Sequence, residues 1–200
     1  MSTMFERVRR EMSAVGCDLR VRFGRLRRDE RGVSAVEFAM LLPLMVSLYL
    51  GAVEVSQGIG ADRKVTLTAR TVADLVSQVS SVSNSDMTNS LNAASAVISP
   101  FSSANLKVVV SSVKIDAQGN ATVAWSDTLN GAARSKGSSV AVPAALKVPN
   151  SSLIWSEVTY TYTPVIGHFI TGSINLSEQI YMRPRASDCV LREAQVTSCV

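Results

Sequence analysis

The sequence predicts an α+β fold, in which a long N-terminal helix crosses a membrane, continues outward as a stalk and packs on a small antiparallel β-sheet. Three observations predict it. Val33 to Val53 is a run of 21 residues with one charged side chain, Glu37. An amphipathic stretch follows it at helical spacing. From Leu106 the pattern changes to β-branched residues at period two, which is the signal of half-buried strands.

The segment before the run sets its orientation. Residues 1–32 hold nine Arg and five Asp or Glu, a net charge of +4, and the rest of the chain has eleven basic and eleven acidic residues. The basic character of the protein therefore belongs to this leader alone. Nucleic-acid binding would need it to grip phosphates without a folded reading head, so no nucleic-acid partner is expected. A basic flank directly before an apolar span reads instead as its cytoplasmic side, because Lys and Arg resist translocation. At 1.5 Å per residue the run Val33–Val53 spans roughly 30 Å of hydrocarbon. A buried helix of a soluble protein seldom stays apolar on every face for this length. A cleaved secretory signal fits less well, since the leader is long and acid-containing and Glu54 precedes the small-residue site Gly58-Ile59-Gly60. Pro43 lies in the first half of the span, where its missing N–H frees a carbonyl and favours a kink.

Beyond the span, Val65, Val72, Leu75, Val76, Val79 and Val82 recur at helical spacing, so the helix is expected to continue through about Val82. Gly58 and Gly60 loosen the junction, and Arg70 and Asp74, four apart, are placed to pair. Ser83-Asn84-Ser85-Asp86 offers cap residues for a short helix over 87–98, ended by Pro100. Leu106–Ile115 reads as a strand, Asp116–Asn120 as a turn and Ala121–Thr128 as the returning strand, with Trp125 in it. A polar loop covers 130–139. Val140–Val148, punctuated by Pro143 and Pro149, holds a short strand or helical turn. Ser152–Thr163 and Ile174–Met182 supply two more strands. The organisation expected is a leader (1–32), a membrane helix (33–53), its outward extension (54–82) and an α+β domain (83–200).

Catalysis is not indicated. His168, between Gly167 and Phe169, is the only histidine, with no Cys or acid beside it. No phosphate-loop spacing of glycines occurs. Neither cofactor, metal nor small-molecule substrate is expected. Cys189 and Cys199 lie beyond the span, where they either pair, a link worth roughly 3 kcal/mol in the chain-entropy model, or remain two thiols. Arg183-Pro184-Arg185 is either an exposed basic clip for a partner or a soluble strand end. Trp125, Trp155, Tyr160 and Tyr162 read as core or sheet-face residues.

Glu37 is the anomaly. An acid within the lipid is costly unless something pairs with it. The stretch Gly32, Val33-Ser34-Ala35-Val36, Glu37-Phe38 resembles the processing site G-x-x-x-x-E-F of type IV prepilins and pseudopilins, with its basic leader and following hydrophobic helix. The resemblance implies a cut after Gly32 by an aspartyl prepilin peptidase, Val33 as the new N-terminus and Glu37 as the acid serving cleavage or assembly. Within that superfamily the chain resembles TadE/TadG-like pseudopilins of the tight-adherence (Flp) pilus system. The likeness runs through residues 30–43, 63–78 and the Y-M-R-P-R at 181–185. The D-x-S-x-S run of the longer TadG-type members is absent, which favours a TadE-like length class. The resemblance implies a pilin-like fold, a single-pass inner-membrane protein with a periplasmic C-terminal domain, and other pilins and the Tad secretion machinery as partners. An uncleaved, signal-anchored periplasmic binding or sensor module is the alternative reading.

Overall fold

The computed structural model describes residues 31–165 and 172–193. The leader arginines before Arg31, Cys17, His168 and Cys199 lie outside the described residues. The chain divides into two units, Met1–Ala52 and Val53–Val200.

In the first unit the described residues all belong to helix α1, Arg31–Ser77. Every one of residues 32–49 is exposed. The helix runs through Pro43 without interruption. Ser47 donates its hydroxyl to the Pro43 carbonyl at 2.7 Å, the back-bond a helical serine makes to the residue four before it.

The second unit holds the remainder of α1, β1 (Ser81–Val82), α2 (Asn84–Val97), β2 (Leu106–Ile115), β3 (Ala121–Leu129), β4 (Ser151–Tyr162), β5 (Ile174–Met182) and β6 (Leu191–Arg192). Here α1 buries one stripe, Ala61, Val65, Ala69, Val72, Ala73 and Val76. The spacing is helical, and the small alanines let the helix approach the sheet closely. The helix stops at Ser77 rather than near Val82, because other bonds compete for its end. The Arg185 N–H donates to the Ser77 carbonyl at 2.9 Å, and Ser77 turns its hydroxyl back to Asp74 O. Val79 is left partly exposed, and Val82 is buried in β1, which pairs in parallel with β6. Gly58 and Gly60 do not break the helix, and Asp74 takes Arg185 and Gln78 as partners rather than Arg70.

The second helix starts three residues earlier than expected. Ser83 caps it: its hydroxyl accepts from the Asp86 N–H and the Asp86 carboxylate accepts from the Ser83 N–H, both at 3.2 Å. This reciprocal arrangement satisfies two otherwise orphaned donors.

The strands form one antiparallel sheet in the order β3-β2-β4-β5. The turn between β2 and β3 is tied by Asp116, whose carboxylate accepts from the Gln118 and Asn120 N–H groups. A register shift between Ser112 and Val113 divides β3 between the two faces of the sheet. Trp125, opposite Ser112, turns toward the helices and donates its indole N–H to Val190 O at 2.7 Å, while Ala121 joins the core on the other face. The main core joins α1 and α2 to Leu106, Val108, Val110, Ile154, Val158 and Tyr160. A smaller core on the far face gathers Val113, Ile115, Leu153 and Trp155 under Val140, Val142 and Leu146. That cover explains residues 140–148: Val140 N–H bonds to Ala121 O, and Ala144–Leu146 is a 3-10 turn. The fold is α+β, a long helix on a four-stranded sheet, as the sequence predicts.

Candidate functional site

Gly32, Val33, Glu37 and Phe38 all lie in the first two turns of α1. Val33 and Glu37 are four residues apart, hence on one face of the helix, a turn from each other. Glu37 is exposed among exposed apolar neighbours, of which Met40 is 76% accessible. A contiguous apolar surface of this kind marks contact with lipid or protein. Among the described residues α1 is the one helix long and apolar enough to cross a membrane.

Among the described residues the glycine before this surface has open space around it, as Gly51 and Gly60 do. A Cβ at Gly32 would meet nothing within 4 Å, and its φ is not in the left-handed region. Glycine in a helix costs about 1 kcal/mol relative to alanine. Contrast Gly119 and Gly137, whose φ values of +83° and +80° require glycine.

The remaining expected residues are not gathered with this cluster. Arg183 and Arg185 are exposed at the end of β5, but Arg185 pairs with Asp74, so this half of the basic clip ties the domain to the end of α1. Its cation beside the last turn also suits the negative end of the helix dipole. Cys189 is disulfide-bonded; Cys199 lies outside the described residues.

Two polar clusters have no signature in the sequence. Arg192 is buried, donating to Asp127 at 2.8 Å and 3.4 Å and to Val82 O at 3.2 Å, which joins β6, β3 and β1. On the far face Arg134 grips Glu157 with two bonds of 2.7 and 2.8 Å and lies 4.1 Å from the Trp155 ring centre, and Trp155 stacks on Tyr181. The Glu157 bonds raise the Arg134 pKa, and burial raises that of Tyr181. Arg192 meets Asp127 across 65 residues, and no local periodicity encodes such a pair. Both arginines have their carboxylate partner, and among the described residues the buried Trp155 Nε1 beside Arg134 has no hydrogen-bond partner; both clusters read as structural. Among the described residues no group of three His, Cys, Asp or Glu is placed to hold a metal.

Residues 32–74 match the family model described as TadE-like protein. No curated protein and no solved structure matches the chain.

Proposed function

From the TadE-like segment at residues 32–74 we propose that the protein is a minor pseudopilin supporting assembly of a tight-adherence (Flp-type) pilus. The prepilin peptidase cuts it after Gly32. Residues 33–53 hold it in the bacterial inner membrane, with the leader 1–32 cytoplasmic and the sheet domain periplasmic. The observation that carries the reading is G-x-x-x-x-E-F at the head of an exposed apolar helix.

The chemistry follows from the cut. Cleavage frees an α-amino group on Val33, one helical turn from Glu37. A carboxylate within the lipid costs a few kcal/mol on translocon scales, less near the interface. The new amine neutralises that charge, in its own subunit or in a neighbour. The leader also leaves with its net +4 charge, so the span loses the flank that held it at the cytoplasmic face. Apolar side chains of the span then pack against other pilins, and Glu37 supplies the polar contact between helices. The role is one of assembly, with the other pilins and the Tad secretion machinery as partners and no catalytic step of its own. A sealed Cys189–Cys199 link would stiffen the C-terminal tail of the same domain.

Complementation tests this. In cells deleted for the protein, the wild-type chain is expected to restore pili and surface adherence. Glu37→Gln is expected to reach the membrane at equal abundance yet fail to restore them. Full piliation by Glu37→Gln would overturn the proposal and favour a signal-anchored binding module.

A further inference from the structure

The sheet ends in two unlike edges. β3 is closed, since Gly137 N–H donates to Val123 O at 2.7 Å, and Ser138 O and the Val140 N–H bond to Val123 and Ala121. β5 has only β4 beside it among the described residues. Its nine residues pair with β4 without a register break, and it contains neither Lys nor Pro. Its one charge, Glu178, is held by Thr66 of α1 at 3.2 Å. Natural edge strands carry charges, prolines or bulges because a bare row of N–H and C=O groups will pair with any extended chain.

A second observation lies above this edge. Because Thr66 reaches Glu178, the flank of α1 bearing Thr66 stands over β5. Asp62, Ile59 and Val55 precede Thr66 by four, seven and eleven residues and so share that flank. Val55 and Ile59 are 63% and 52% exposed, and β5 opens with Ile174, also exposed. Val55, Ile59 and Ile174 thus leave exposed apolar side chains at the start of this helix flank and strand edge.

We propose that β5 is a docking edge for an extended segment of a second protein of the same membrane assembly, added to the sheet as a fifth strand. β5 itself sets the chemistry of that segment. Leu176, Ile180 and Met182 face the helix side with Glu178 among them, and Asn175, Ser177, Gln179 and Tyr181 face the other, so the incoming strand is mainly apolar on the helix side and mainly uncharged polar on the other. A second copy of this chain does not fit. α1 runs in the direction of β5, since Thr66 meets Glu178 and Asp74 meets Arg185. A symmetric β5 pair would be antiparallel and would set the two residue-54 ends roughly 35 Å apart at opposite ends, at 1.5 Å per residue. Both chains are tethered to one membrane at residue 53, a premise that rests on the membrane reading above.

Hydrogen exchange of the full chain tests the edge, comparing protein purified alone in detergent with protein in native membrane vesicles of the source cell. Alternate amides of 174–182 are expected to exchange freely in detergent and to slow by about tenfold or more in vesicles, with β3 unchanged. Gln179→Lys is expected to abolish the slowing while leaving β2 protection intact. Equal β5 exchange in the two preparations overturns the proposal. So does slowing that appears on concentrating the purified chain alone, which would mean self-pairing. The intact mass of the vesicle sample reads processing separately: an uncut chain with a protected β5 would sink the pseudopilin assignment and leave the docking edge standing.

Discussion

α1 is one helix with two kinds of surface. From Val33 to Ala52 its apolar side chains point outward on every face, and from Ala61 to Val76 they are confined to one stripe that the sheet covers. Leu44 is 58% exposed and Val72 is fully buried, although both are aliphatic residues in regular helix. The difference teaches that burial in protein fixes the second half, whereas the first half has the length and apolarity of a membrane anchor.

Substitutions that treat the two halves alike separate these causes. The largest effect is expected from Val72→Asp, which places an unpaired charge under the sheet and costs well over 4 kcal/mol, enough to unfold a typical domain. Loss of the cooperative thermal transition and of protease resistance checks it. Arg192→Ala follows, at about 3 kcal/mol, because it strands Asp127 in a partly buried site; urea unfolding of the detergent-solubilised chain measures it. An unchanged midpoint would show that β6 is dispensable to the second unit.

Ser83→Ala comes next, at about 1 kcal/mol through the lost helix cap. It has a pH signature. Hydrogen bonds from the Ser83 side chain, then its backbone, hold Asp86 below its ordinary pKa of 3.8. A depressed carboxyl contributes above its unfolded pKa and loses that contribution as pH falls through the lower folded value. The wild type is therefore expected to lose stability below about pH 4 more steeply than Ser83→Ala. Parallel acid limbs would remove Asp86 from the account. The smallest effect belongs to Leu44→Ala, expected to leave the unfolding midpoint of the sheet domain within about 0.5 kcal/mol of the wild type, as surface substitutions do. A large shift there would mean that the first half of α1 is held by protein contacts.

Much of this architecture is legible in the sequence because it is local. Helical spacing marks the stripe Val65, Val72, Val76, the Ser83–Asp86 pair marks a helix start, and alternation with a turn at Asp116–Asn120 marks the β2–β3 hairpin. Of the candidate site, Gly32, Val33, Glu37 and Phe38 stand out through their resemblance to the prepilin processing motif at the head of the apolar run. What the sequence hides is non-local. β1 and β6 are two residues each, too short for any period, and exist because a parallel pairing across more than a hundred residues ends α1 early. The second core on the far face depends on which loop covers it. The sequence leaves Arg185 open between a basic clip and a soluble strand end because its partner, Asp74, belongs to a different element.

The claim on which the functional account turns is that Glu37 is tolerable in lipid because a cut after Gly32 gives it an amine one turn away. N-terminal sequencing of protein extracted from native membranes tests it most directly. The account predicts chains beginning at Val33, and a Gly32→Val variant that keeps its leader. Wild-type protein still beginning at Met1 or Ser2 in cells that possess the peptidase would contradict it.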